Sequence, residues 1–279
     1  MMKGITLIIL IALLLMIVQS SLHLYSSSVS AHIPLPSVST PAPIGIADYG
    51  ISPSGAYIRK TTQWLGIVYV KSLLASSNLN NSCRYSVSFQ LNVVLNYKHD
   101  NKTYALWVQD VADYNTVTHG LYFSDNIWNF SGKYVYAIGK LSYLIGKPNN
   151  VTFGQYYGYI DPNTFNYYNN TPKLKMQPPF TIELLVNVST NDKGGPVVHF
   201  WYNYGRGWIN FDNVIIPAPN STNVYFLVDG YKYAPGGFYY DAALVIGGAC
   251  DGSTAYIING TVFLQLFYWN GHNFQEVEN

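Results

Sequence analysis

Three aspartates in this sequence combine a reactive group with surroundings able to perturb it. Asp110 closes the run "YALWVQDV", whose alternating faces are both apolar until Gln109. Asp241 lies inside the apolar run "FYYDAALVIGG", and Asp125 follows Asp110 at a short distance in "FSDNIWNFSG". An ionised carboxylate buried in such a run is costly unless it is paired or hydrogen-bonded. Burial raises an aspartate pKa, and a neighbouring carboxylate raises one of the two further. Asp110 and Asp241 are therefore the acids with a physical reason to be unusual. An aspartate satisfied by backbone amides at a strand end fits the local sequence equally well. Glu183, in the alternating stretch "FTIELLVNVS", falls on the polar face and is expected to be a solvated carboxylate, far more exposed than Asp110 or Asp241.

Other chemistries lack their motifs. The six histidines are scattered and no H-E-x-x-H occurs; neither cysteine has metal-ligand spacing to a histidine, so no metal site is expected. His199, alternating within "PVVHFWYNYG", reads as a satisfied strand histidine. No G-x-S-x-G elbow, G-x-G-x-x-G or P-loop is present, so neither a serine nucleophile nor a nucleotide cofactor is implied. The pepsin-type D-T-G or D-S-G triplet is missing as well: Asp251 precedes Gly-Ser and Asp229 precedes Gly-Tyr. A net charge of +1 without a basic stripe argues against nucleic acid as a partner.

The elements that must hold these acids are strands. Short runs rich in Val, Ile, Tyr, Phe and Trp alternate with Asn/Gly/Pro clusters, and no long segment shows helical periodicity. In "SVSFQLNVVLNY", Val87, Phe89, Leu91, Val93, Leu95 and Tyr97 share one face, while Ser86, Ser88, Gln90, Asn92 and Asn96 share the other, as in a half-exposed antiparallel strand. The expected fold is all-β, an antiparallel sandwich of two packed sheets, with more than a third of residues 44–279 in strand. Helix is expected only in the N-terminal segment, with one turn near Ser72 to Asn78.

The N-terminus reads as a signal peptide over residues 1–31. Lys3 precedes an apolar stretch from Ile5 to Val18, and Val29-Ser30-Ala31 offers a small-residue exit. Such a stretch rises about 21 Å as a helix, short of the roughly 30 Å hydrocarbon core. A membrane tether follows only if this segment is retained. Residues 32–43, "HIPLPSVSTPAP", carry four prolines and read as an extended leader or propeptide, leaving 44–279 as one domain. The expected location is extracellular or cell-surface. Cys83 and Cys250 could close one disulfide in an oxidising compartment, although two cysteines give no framework pattern. Eight sequons, at Asn80, Asn101, Asn129, Asn150, Asn169, Asn187, Asn220 and Asn259, suit a glycosylated exterior. Charged residues make up only 10% of the chain, which limits self-repulsion when the carboxylates protonate in acid; ordinary secreted-protein composition accounts for the same figure.

Five blocks, "PAPIGIADYG" (41–50), "FQLNVVLNY" (89–97), "ALWVQDV" (105–111), "FSDNIWNFSG" (123–132) and "GFYYDAALVIGG" (237–248), stand in an order and spacing that resemble the thermopsins, secreted acid peptidases of thermoacidophilic archaea. Trp107, Gln109, Asp110, Asp125, Asn126, Trp128, Tyr240 and Asp241 match the family pattern; Asp48 matches it more weakly. The resemblance implies an aspartic-type acid endopeptidase without a cofactor, acting on polypeptides of a thermoacidophile's surroundings. Asp110 and Asp241 are the expected pair sharing one proton, since two close carboxyls cannot both ionise and so supply base and acid together. Asp125 is the reserve member. Gln109 is a candidate oxyanion donor, though alternation points it away from Asp110, and Trp107 and Tyr240 are candidate substrate contacts. Thermopsins typically continue beyond the strand that here reads "TVFLQLFYWNG". A non-catalytic glycosylated surface or adhesion protein on the same scaffold is the alternative, its tyrosines and tryptophans suiting carbohydrate contact. Oligomeric state has no signature in the sequence.

Overall fold

The structure, a computed structural model, describes residues 44–129, 145–146, 159–160, 166–171, 173–230, 241–250 and 254–277. The expected signal and leader segments and Tyr240 lie outside these residues. Strands come in the order β1 (Ile44–Asp48), β2 (Ile51–Ser52), β3 (Gly55–Ala56), β4 (Arg59–Thr61), β5 (Gln63–Ser77), β6 (Ser86–His99), β7 (Lys102–Asn115) and β8 (Gly120–Asn129). Short strands β9 (Ile145–Gly146), β10 (Tyr159–Ile160), β11 (Asn166–Asn170) and β12 (Leu174–Lys175) follow. The series ends with β13 (Phe180–Thr190), β14 (Pro196–Asn203), β15 (Ile209–Ile215), β16 (Thr222–Val228), β17 (Ala242–Gly248), β18 (Ala255–Trp269) and β19 (Phe274–Glu276).

A ten-stranded antiparallel sheet runs β1-β17-β6-β7-β8-β11-β10, with β12 beside β8 and the β16–β4 pair beside β6. A seven-stranded antiparallel sheet runs β19-β18-β5-β13-β14-β15-β9. No helix occurs among the described residues, so the all-β expectation holds there. Alternation explains why these segments pair: Val87, Phe89, Leu91, Val93 and Leu95 of β6, and Ile182, Leu184 and Val186 of β13, are buried and join one hydrophobic core between the sheets. Across that core the Phe123 ring of β8 stacks on Tyr202 of β14 at 3.9 Å, and Tyr114 of β7 meets Phe180 of β13 edge-on at 5.0 Å. The layers approach closely at Gly66 of β5, where an added Cβ would lie 2.7 Å from Leu244 Cδ1 of β17.

Two local expectations change. The turn expected near Ser72 to Asn78 is strand through Ser77; β5 stays paired with β18 across two register shifts, with Ile258 the extra residue on β18 and Lys71 the extra residue on β5. β6 is also not half-exposed, for Ser88, Asn92 and Asn96 on its polar face are buried. That burial is tolerated because the polar groups satisfy one another. Ser88 Oγ donates to the Gly248 carbonyl (2.9 Å), Gln90 Nε2 to Ser88 Oγ (2.7 Å) and Gln109 Nε2 to Asn92 Oδ1 (2.9 Å).

A disulfide joins Cys83, between β5 and β6, to Cys250, just after β17, across a sequence separation of 167 residues. In the chain-entropy account, closing a loop this long stabilises the fold by about 5 kcal/mol at 25 °C. The Cys83→Ala, Cys250→Ala double variant should therefore lose about 2–5 kcal/mol in denaturant unfolding under oxidising conditions, matching the wild type in strong reductant. A variant as stable as the oxidised wild type would contradict this.

Candidate active site

β7 and β8 form a hairpin that pairs Tyr114 with Leu121 next to the turn and Asp110 with Asp125 four residues further along. Leu106, Val108, Asp110, Ala112 and Tyr114 alternate onto the inner face of β7, and Leu121, Phe123, Asp125 and Ile127 onto that of β8. Two carboxyls are thus opposed in register, with Cβ atoms about 4.5–5.5 Å apart in such pairs. Both aspartates have no exposed surface, and none of their four carboxyl oxygens has a hydrogen-bond donor of good geometry. Burial drives the Asp110 carboxyl well above the ordinary range, with backbone groups of Leu185 and Val111 opposing it weakly. Burial likewise drives Asp125 well above it, reinforced by the charges of Asp212 and then Asp110.

Asp212 was not legible as a site residue. It reaches the core from the seven-stranded sheet, on β15, and is fully buried. Strict alternation in "INFDNVI" offers no reason to pick it out. A register shift opposite Phe200 and Trp201 turns both Phe211 and Asp212 inward, and that shift leaves no mark in composition.

Asp241 lies elsewhere. It immediately precedes β17, half-buried, and the acid acting on it is Asp48, not Asp110; burial first, and then the Asp48 charge, push its pKa up to about 7. Its exposure falls in the same intermediate class as that of Glu183, so the expectation that both Asp110 and Asp241 are far more buried than Glu183 is met by Asp110 alone. Glu183 accepts a hydrogen bond from Asn203 Nδ2 at 2.7 Å. Asp48 is buried and receives Arg59 Nε (2.6 Å), the Gly50 backbone N–H (2.9 Å) and the Tyr57 hydroxyl. The Arg59 guanidinium in turn lies 3.6 Å over the Tyr268 ring.

The remaining candidates face outward from the ten-stranded sheet. Gln109 is engaged with Asn92 and, at 3.4 Å, with Gln90, on the face opposite Asp110. Trp107 packs with Val94, Ala105 and Leu227. Asn126 pairs with Gln109 and Trp128 with Trp107 in register, so the two motif blocks lie side by side. On that same face Asp113 accepts from Ser124 Oγ at 3.3 Å, and burial pushes its pKa up to about 7. Among the described residues, no group of three or more His, Cys, Asp or Glu is arranged to hold a metal ion. Asn80, Asn101, Asn220 and Asn259 are exposed; Asn187 is half-buried, its Oδ1 accepting from Trp201 Nε1. Asn150 lies outside the described residues, as do the side chains of Asn129, Asn169 and Trp128.

The fold is an all-β sandwich that opposes two buried carboxyls across one hairpin, and the sequence comparisons agree on one family. The thermopsin family matches residues 29–279, and thermopsin of Sulfolobus acidocaldarius is 31% identical over 248 residues, covering 82% of this chain and 69% of its own length. The chain belongs to the thermopsin family, which is a family of peptidases.

The raised acids set the sign of the pH dependence. A carboxyl whose folded pKa exceeds its unfolded value of about 3.9 binds more protons folded than unfolded between those two values, so stability falls as pH rises through that window. Each such acid contributes a slope of up to about 1.4 kcal/mol per pH unit. The thermal midpoint is therefore expected to be highest below about pH 4 and to fall steadily toward pH 7, the span that Asp113 covers. Asp113→Asn should flatten the fall. A midpoint rising over that range would overturn this assignment of the buried acids.

Proposed function

We propose that this protein is a secreted acid endopeptidase of aspartic type, acting at low pH on polypeptides outside the cell, with Asp110 and Asp125 as its carboxyl pair. The observation that carries the reading is the register opposition of two fully buried carboxyls without hydrogen-bond donors of good geometry. Like charges facing each other in a low-dielectric core cannot both persist, so the pair holds at least one proton in acid. The ionised member accepts a proton from water as the water oxygen bonds to the scissile carbonyl carbon. The protonated member gives its proton to the carbonyl oxygen. Collapse of the resulting diol breaks the C–N bond: the member that took the water's proton gives it to the departing amine nitrogen, while the other member takes the proton of one diol hydroxyl, so the pair again holds a single proton. No metal or cofactor enters the scheme.

Export is supported by the basic start and short apolar stretch before residue 31, and an oxidising exterior by the disulfide and the sequons. Membership of the thermopsin family supports the peptidase assignment, and the similarity to thermopsin of Sulfolobus acidocaldarius supports an acidophilic, archaeal setting. Gln109 and Trp107 stand on the opposite face of the sheet, so in this scheme they shape the hairpin and do not serve as oxyanion donors to the pair.

One observation favours a second reading, a non-catalytic glycosylated surface protein on this scaffold: Asp110 and Asp125 are sealed between the sheets. Cleavage by this pair requires an opening that admits water and a peptide. Chain purified after removal of residues 1–43 should cleave denatured casein between about pH 1 and 5, the range bracketing carboxyl titrations. Asp110→Asn and Asp125→Asn should each lower kcat/KM by about 10²–10⁴-fold with the fold retained, while Glu183→Gln leaves it unchanged. Asp241→Asn separates the two candidate pairs, for a comparable loss in a folded variant would return Asp241 to the catalytic pair. Absence of cleavage throughout that range by folded protein would establish the second reading.

A further inference from the structure

The outer face of the seven-stranded sheet carries a polar row that the carboxyl pair does not use. His199 of β14 stands in register opposite Asn187 of β13 and Asn213 of β15, and Ser189 lies two residues along β13 on the same face. Ser189 Oγ is 2.7 Å from His199 Nε2, and Asn213 Oδ1 is 2.5 Å from His199 Nδ1. The hydrogen-bond chain beyond Asn213 decides which ring nitrogen carries the hydrogen. Asn210 Nδ2 donates to the carbonyls of Phe200 (2.9 Å) and Asp212 (3.1 Å), groups that can only accept, so its Oδ1 faces Asn213 and accepts from Asn213 Nδ2 at 2.8 Å. Asn213 therefore turns its oxygen to the ring. Nδ1 must then carry the hydrogen, and in the neutral imidazole Nε2 is left as a bare acceptor for the Ser189 hydroxyl. Hydroxyl, imidazole and orienting side-chain oxygen in this sequence are the constellation that activates a serine on unrelated folds, recognised by geometry and not by a motif.

We propose that Ser189 is a nucleophile, with His199 as its general base and Asn213 orienting the imidazole, in a second reactive centre that takes the acyl group of small carboxylic esters. It is independent of the Asp110–Asp125 pair. Ser189 is exposed and His199 half-buried. An open sheet face gives a substrate little to bind, which restricts the centre to small esters with good leaving groups. Asn187 supplies the oxyanion donor: Trp201 Nε1 holds its Oδ1 at 2.8 Å, and its Nδ2 bonds to nothing else among the described residues. Ser189 Oγ bonds to the ester carbonyl carbon as its proton passes to His199 Nε2. Collapse breaks the bond to the alkoxy oxygen, which takes that proton and leaves as the alcohol. Water then attacks the acyl group on Ser189, giving a proton to His199; the carboxylic acid departs and the proton returns to Ser189 Oγ. The imidazole must be neutral throughout, so the reaction rises with pH. In its row the neighbour on β5 is Gln63, beyond Asn187, and on β15 Asn213, and neither titrates; Glu183 lies further along β13, bonded to Asn203, and Asp192 and Lys193 occupy the β13–β14 turn.

The test is acetylation of the full chain by p-nitrophenyl acetate, followed peptide by peptide with mass spectrometry at about pH 8, where imidazole is neutral. A host without N-glycosylation is used, since Asn187 Nδ2 is also the atom that a glycan at this sequon occupies. Ser72, exposed on β5 of the same sheet, is the internal reference. Acetyl should enter Ser189 about 10²–10⁴ times faster than Ser72. His199→Gln should reduce Ser189 to the rate of Ser72, and Asn187→Ala should slow it about 10²-fold. Equal rates at Ser189 and Ser72 in the wild type overturn the proposal. Should His199→Gln not fold, the wild type decides: acetylation of Ser189 must follow the titration of His199 read by imidazole NMR in the same protein, and a rate indifferent to that titration rejects the role of His199. Casein cleavage in acid is a separate measurement, so the peptidase reading stands or fails independently.

Discussion

Two carboxyls that face each other in a closed apolar core, with no donor of good geometry to either, constrain the rest of this molecule. Removing water makes their mutual repulsion strong and the ionised state of each expensive. The arrangement persists only if protons compensate for the missing donors, so the fold is at its best where protons are plentiful. Apolar side chains of the core help keep it dry, among them the Phe123–Tyr202 stack, Leu91 and Leu184. The disulfide across 167 residues and the long β5–β18 and β6–β7 ladders supply stability that such a core subtracts.

Acids in this protein are handled in two contrasting ways. Asp48 is given a guanidinium, a phenol and a backbone amide, which together satisfy a buried carboxylate in the ordinary manner. Asp110 and Asp125 are given nothing comparable. A protein able to satisfy one buried acid so fully has the means to satisfy the others, and the contrast argues that the unsatisfied pair is retained for what its protons can do.

Much of the fold was legible because period-two patterning survives wherever a strand has one apolar face, as in β6 and β13. The polar face of β6 misled, since side chains that bond to one another can be buried without cost to the pattern. The burial of Asp110 was legible from its apolar run. That Asp48 is the acid acting on Asp241 was not, because an apolar run says that a residue is near a core and not which strand lies beside it. The partner was set by the hairpin: Asn115 to Gly120 make a tight turn, and residues equally far from that turn must face each other, which brings Asp125 to Asp110. Asp212 was hidden for another reason. A single-residue bulge shifts the phase of alternation, and nothing in "INFDNVI" announces it.

The central claim, that Asp110 and Asp125 compensate for absent donors by sharing a proton, is tested most directly by neutron diffraction from deuterium-exchanged crystals grown at acid pH. The account predicts a deuteron between an oxygen of Asp110 and an oxygen of Asp125, the two within hydrogen-bonding distance. Carboxyls turned away from each other, each bonded to separate donors, would contradict it.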